Sequence, residues 1–108
     1  MIELRIYTDA QERAPFDDWL LGLKDRTARA RIRARLERIK AGNFGDCKPL
    51  REGVQELRVD HGPGYRVFLS RQGPFVVLLL CGSDKGDQER AIRQAIGYLA
   101  DWKQRGSP

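Results

Sequence analysis

The sequence predicts an α+β domain in which a small, mainly antiparallel sheet packs against helices in the element order βααβββα. A short strand and two stretches with helical spacing of apolar residues occupy the first forty positions. Three strand-like stretches separated by turn residues follow, and a helical stretch closes the chain. Strands joined by short turns favour an antiparallel meander, and helices on one face would give two layers. The 108 residues, 41% of them hydrophobic, suit one domain spanning 1–108, with 106–108 as a flexible tail.

The N-terminal part predicts one strand and two helices. Residues 3–7 alternate loosely as a first strand, and the first helix begins either after Asp9 as a cap or at Pro15. A break at Lys24-Asp25, with Asp25 as a possible cap, separates it from the second helix. The apolar stripes of the two helices are Phe16, Trp19, Leu20 and Leu23, and then Ile32, Leu36 and Ile39.

The C-terminal part predicts a loop, three strands and a closing helix. Residues 41–53 have the composition of a loop, and strands 54–59 and 65–69 flank the turn residues 60–64. Residues 75–81 form an unbroken apolar run, which is typical of a central strand buried on both faces. The closing helix extends to about Arg105.

Composition restricts the partners and the compartment. Lys and Arg total 20 against 15 Asp and Glu, and the pI of about 9.6 favours nucleic acid, an acidic protein or an anionic membrane surface. No secretory signal is expected from the N-terminal residues, and the longest apolar run is shorter than the roughly 20 residues that span a bilayer. A cytoplasmic protein with reduced Cys47 and Cys81 is expected. A zinc site is improbable, because the two cysteines are widely separated and His61 is the only other good ligand.

The predicted hairpin places two arginines opposite each other. If residues 60–64 form the turn, Val59 faces Tyr65 and Arg58 faces Arg66, with both arginines on one face. Like charges in this position are destabilising, so a phosphate clamp would account for them. The alternative is a solvated strand face on which Glu56 pairs diagonally with an arginine.

Lys85 is the third basic residue of interest. It follows the central strand directly, and two nearby arginines would disfavour its charged form and suit it to proton transfer. An exposed loop lysine is the alternative. His61 at the hairpin tip could act as a base but is more simply a solvated turn residue.

Several segments together resemble the addiction-module killer proteins, a branch of the RelE/HigB toxins in the RelE/ParE superfamily. They are residues 42–46, 53–58, 62–67 and 79–85, followed by Gln88. The resemblance implies a RelE-like fold and a toxin of a type II toxin–antitoxin system. It also implies mRNA cleavage, commonly on the ribosome, and neutralisation by a cognate antitoxin, often of the helix-turn-helix type. Ser83 departs from a glycine usual in this branch, and Tyr98 is expected in the core rather than at the site.

The resemblance also implies site residues. Arg66 matches the arginine that contacts the scissile phosphate, Arg58 a basic position on the preceding strand, and Lys85 a basic position after the last strand. Lys48, Arg51 and Tyr65 are expected RNA contacts, although Tyr65 alternates away from Arg66 and would more simply pack inward.

The expected chemistry is cleavage by the ribose 2′-hydroxyl, without metal or cofactor, with the arginines stabilising the phosphorane. The sequence shows no carboxylate cluster of the kind that metal-dependent nucleases use. The alternatives are a ParE-like gyrase poison that acts by protein binding and a non-catalytic relative. The arginine-rich second helix could contact ribosomal RNA phosphates, be solvated, or bind an acidic antitoxin.

Overall fold

A computed structural model describes residues 1–106 of the chain and confirms the α+β class. The two last residues of the predicted tail, 107 and 108, lie outside the described residues. The elements in chain order are β1 (Glu3–Ile6), α1 (Pro15–Gly22), α2 (Arg26–Lys40), β2 (Cys47–Pro49), β3 (Gln55–Val59), β4 (Tyr65–Gln72), β5 (Val76–Asp84), a single 3₁₀ turn (Lys85–Asp87) and α3 (Gln88–Gln104).

The sheet has five strands in the order β1-β5-β4-β3-β2. The pair β1–β5 is parallel and the other three pairs are antiparallel, so the sheet is mixed and mostly antiparallel. The predicted order βααβββα is wrong by one strand, because β2 lies within the stretch predicted as a loop. Three residues are too few to show an alternating pattern, and Pro49 is tolerated because β2 is an edge strand.

Helix starts follow the local chemistry. Pro15 begins α1, whereas Asp9 closes a turn by accepting hydrogen bonds from the backbone N–H groups of Gln11 and Arg13, both at 2.9 Å. Asp25 caps α2 as predicted, since its Oδ1 accepts a hydrogen bond from the Ala28 N–H at 3.1 Å.

Helices cover both faces of the sheet, which corrects the predicted two layers to three. The α1 and α2 stripes pack on the face that carries Leu57, Val67 and Leu79. Helix α3 packs on the opposite face, which carries Phe68 and Leu78. The reason lies in β5, whose consecutive apolar side chains point alternately to the two faces, so that both faces need a cover.

Two aromatic contacts tie the helices to the sheet. Trp19 of α1 lies directly over Gly82 of β5, where a Cβ atom would fall 2.2 Å from Cε3 of the indole. The Trp19 ring also meets Tyr65 edge-on, with centroids 6.3 Å apart. On the other face Tyr98 of α3 stacks on Tyr7 at 4.9 Å, which confirms its expected place against the core. None of the helices in residues 1–106 is long and apolar enough to span a membrane.

Candidate functional site

The candidate site is a pocket of about 340 Å³ where the β3–β4 hairpin meets the end of β5. The hairpin turn forms one wall, and the 3₁₀ turn after β5 contributes Lys85. The pocket is lined by Asp46, Arg58, Asp60, Gly62, Pro63, Gly64, Arg66 and Lys85. The three predicted catalytic residues therefore border a single cavity.

The hairpin register is the predicted one. Val59 pairs with Tyr65 and Arg58 with Arg66, and Arg66 also pairs with Ser83 on β5. The arginine side chains are 38% and 14% exposed, respectively, so Arg66 is largely enclosed. Because the two residues are cross-strand partners on one face, their side chains stand side by side at the pocket.

A buried carboxylate lies beneath the arginine pair. Glu56 is completely buried, and its Oε1 accepts a hydrogen bond from Arg58 Nε at 3.1 Å and lies 3.6 Å from Arg66 Nε. Its Oε2 accepts a hydrogen bond from Nε2 of Gln88, the first residue of α3. Glu56 therefore pairs diagonally with Arg66, as the alternative to the phosphate clamp proposed. This pairing occurs together with the opposed arginines.

Two buried polar atoms at the site have no hydrogen-bond partner among residues 1–106. They are Nε of Arg66 and Oγ of Ser83, on neighbouring strands. The Nη1 atom of Arg66 donates a hydrogen bond to the Tyr65 carbonyl at 3.1 Å. Nε of Arg66 faces the Glu56 carboxylate at 3.6 Å. Oγ of Ser83 is a candidate for contact with a ligand oxygen, because buried polar groups are nearly always partnered.

Lys85 is held at the pocket by its backbone. Its N–H donates to the carbonyl of Gly64 at 3.1 Å, and Asp84 caps the 3₁₀ turn by accepting from the Gly86 N–H at 3.0 Å. Gly64 has a φ of +89°, and a Cβ there would lie 3.7 Å from Nη1 of Arg66. A glycine is therefore favoured where the hairpin turn passes between the arginine and the lysine.

The pocket combines opposite charges rather than presenting a purely basic surface. Arg58, Arg66 and Lys85 carry three positive charges, and Asp46 and Asp60 line the same space. With Glu56 beneath them, the formal charges of these six side chains cancel. The sequence did not predict the two aspartates as site residues, because Asp60 lies in the predicted hairpin turn and Asp46 in the predicted loop before it.

The expected RNA contacts have different positions. Lys48 lies exposed on β2, and Arg51 forms an ion pair with Glu89 of α3 at 2.9 Å. Neither residue lines the pocket. Tyr65 is buried against Trp19, so inward packing is confirmed, and its contact with RNA stays a prediction.

His61 docks on the start of α2. Its Nε2 lies 3.1 Å from Oδ2 of Asp25. The backbone N–H of Ala28, with a smaller contribution from His61, lowers the pKa of Asp25. The histidine thus anchors the tip of the hairpin and does not line the pocket.

Some of the arginines on α2 serve the fold. Arg35 Nη1 donates to the carbonyl of Arg58 at 2.5 Å, and its Nη2 donates to the carbonyls of Phe44 and Asp46 at 3.2 and 3.3 Å. These bonds fix the end of β3 and the rim of the pocket. Arg29 donates to the carbonyl of Leu23. The predicted phosphate-binding role of the remaining arginines stays a prediction.

The described residues 1–106 contain no group of three or more His, Cys, Asp or Glu side chains placed to hold a metal ion. Both cysteines are free thiols, and burial raises the pKa of Cys81 to about 12. A thiol in that environment is a core residue rather than a nucleophile.

One comparison places the chain among known proteins. It is 51% identical over 80 residues to an uncharacterised protein of Haemophilus influenzae, a match that covers 74% of this chain and 81% of that protein. The chain belongs to the same family as this protein. No protein-family model matches the chain. This relative shows the family of the chain and adds no activity.

Proposed function

We propose that the protein is a toxin of the RelE/HigB kind with a RelE-like fold, and that it cleaves mRNA at the pocket between the hairpin and β5. The observation that carries the proposal is the convergence of Arg58, Arg66 and Lys85 on one cavity. A phosphodiester is the ligand that best suits this group, because guanidinium forks donate paired hydrogen bonds to phosphate oxygens. The proposed partners are mRNA on the ribosome and a cognate antitoxin, and the proposed compartment is the cytoplasm.

In the proposed reaction the ribose 2′-hydroxyl oxygen attacks the adjacent phosphorus. The bond from phosphorus to the 5′-oxygen breaks, which leaves a 2′,3′-cyclic phosphate and a 5′-hydroxyl. Negative charge grows on the non-bridging oxygens in the transition state. Nη2 of Arg66 and the Nη groups of Arg58 are available to stabilise this charge, since none of them donates a hydrogen bond within residues 1–106.

Proton transfer uses groups at the rim of the same pocket. In this scheme Lys85, which lines the pocket, gives a proton to the leaving 5′-oxygen. Asp46 and Asp60 line the pocket, and either carboxylate could accept the proton of the 2′-hydroxyl. His61 lies at the hairpin tip, turned toward Asp25, and is given no role in this scheme.

Primer extension on cellular mRNA after brief induction of the protein tests the proposal. Wild type should produce discrete cuts within translated codons, and Arg66→Ala should weaken them by about 10²- to 10³-fold, the loss typical of removing one transition-state donor. Arg90→Ala is the matched control, because Arg90 is exposed on α3 and does not line the pocket. Intact mRNA together with trapped gyrase–DNA complexes would instead support the gyrase poison.

A further inference from the structure

We propose that Glu56 is the positioning residue of the arginine pair and that Gln88 fixes its carboxylate. The catalytic consequence of this inference rests on the proposed RNA cleavage, whereas its structural part stands independently. Glu56 is fully buried, so it does not meet a substrate itself. It acts through the two arginines that border the pocket.

The two oxygens of the Glu56 carboxylate have separate partners. Oε1 faces the Nε atoms of both arginines, at 3.1 Å for Arg58 and 3.6 Å for Arg66. Oε2 receives the side-chain amide of Gln88 from α3. Because its second oxygen is held from the opposite side, the carboxylate has one orientation in which to meet the arginines.

Charge explains why a glutamate is suited to this position. An unpaired carboxylate is costly to bury, and two arginines placed opposite each other repel. One negative charge between the Nε atoms relieves both effects. It also disfavours turning of either guanidinium outward into solvent, since that would remove one of the two counter-charges of the buried carboxylate.

The contact with Arg58 leaves donors free for a ligand. Glu56 occupies Nε of Arg58 and not its two Nη groups, and the Arg58 side chain donates no other hydrogen bond within residues 1–106. A bidentate pairing would have occupied one whole edge of the guanidinium. The observed arrangement therefore fixes the base of the side chain while keeping its tip available at the pocket.

Two variants separate positioning from mere structural support. Glu56→Gln keeps the shape and removes the charge. Adding Gln88→Glu restores an amide–carboxylate hydrogen bond between β3 and α3, but the charge then lies at the start of α3. If Glu56 only held α3 to the sheet, the double variant would regain both stability and function. Melting temperature, kcat, KM and ¹⁵N relaxation of the arginine Nε atoms are measured for each protein.

For Glu56→Gln we expect greater mobility of Nε in Arg58 and Arg66. We also expect a fall in kcat of about 10- to 100-fold with little change in KM, because the two guanidinium groups would no longer be held in position. The double variant should regain the melting temperature and keep the low kcat. Titration with inorganic phosphate should shift both Nε signals in wild type and shift them less in both variants. Arg90 is the exposed reference arginine in each spectrum.

Three results would overturn the positioning role. The first is wild-type mobility and wild-type phosphate shifts in folded Glu56→Gln. The second is full recovery of kcat in the double variant. The third concerns wild type and decides the question if neither variant folds. It is that the Nε atoms of Arg58 and Arg66 are as mobile as that of Arg90. If wild type cleaves no RNA, the proposed function fails, and the relaxation and phosphate measurements still decide the role of Glu56.

Discussion

Gly82→Ala tests how closely α1 rests on the sheet. A Cβ at this position would lie 2.2 Å from Cε3 of Trp19 and 2.4 Å from both Cδ2 and Cζ3. Non-bonded carbon atoms are normally about 3.5–4.0 Å apart, so the indole would have to move by more than about 1 Å. The ring lies between α1 and β5 and against Tyr65, so it cannot move alone. Overpacking of this kind typically costs about 1–3 kcal/mol, and we expect the upper end of that range.

Urea denaturation followed by circular dichroism measures this loss, and a melting temperature lower by more than about 10 °C should accompany it. Gly97→Ala is the matched control, because Gly97 lies within α3 with no atom near its missing Cβ and should gain about 0.5–1 kcal/mol. In a Trp19→Ala background, Gly82→Ala should cost little, since its clashing partner is gone. A loss below about 1 kcal/mol in wild type, or an equal loss in both backgrounds, would refute the close packing of Trp19 on Gly82.

Two further predictions concern the face that α3 covers. Burial raises the pKa of Tyr7 from 10.0 to about 12, so the folded state holds this proton more tightly than the unfolded state. The free energy of unfolding should therefore decline as pH rises from about 10 towards 12. Urea titrations across this pH range should show a smaller decline for Tyr7→Phe. An equal decline of the unfolding free energy in wild type and Tyr7→Phe would contradict this. Phe68→Ala should cost about 3–5 kcal/mol by chemical denaturation because the ring is fully buried, and a loss below about 1 kcal/mol would mean that α3 does not cover it.

The local part of the candidate site was predictable from the sequence. Turn residues at 60–64 fix the hairpin register, and the register alone sets Arg58 opposite Arg66. The end of the apolar run likewise places Lys85 near the sheet surface. These inferences depend only on short-range geometry, which is why the structure agrees with them.

The remaining features depend on contacts between segments distant in sequence. The three residues of β2 become a strand by pairing with β3, not through a pattern of their own. The two-sided apolar run around Leu78 and Leu79 already indicated a second cover, yet no local signal identified α3 as that cover. The full burial of Glu56 likewise depends on tertiary contacts, including its hydrogen bond with Gln88, 32 residues further along the chain.

The pairing of Glu56 with an arginine, one of the two alternatives that the sequence left open, follows from the alternation of side chains. Glu56 precedes Arg58 by two residues on β3, so the two side chains share a face of the sheet. The sequence therefore places a carboxylate beside the arginine pair, although it does not show that the carboxylate is buried. That burial changes the interpretation from two repelling arginines to a charge cluster bridged by Glu56.

The most direct test of the central claim is an analysis of RNA ends after incubation of the purified protein with a translating ribosome on a defined mRNA. The account predicts 5′-hydroxyl and 2′,3′-cyclic phosphate ends from wild type and from Arg90→Ala. It predicts a rate lower by about 10²-fold or more for a folded Arg66→Ala. Cleavage by Arg66→Ala at the wild-type rate, 5′-phosphate ends, or no cleavage by wild type would contradict RNA cleavage at this pocket.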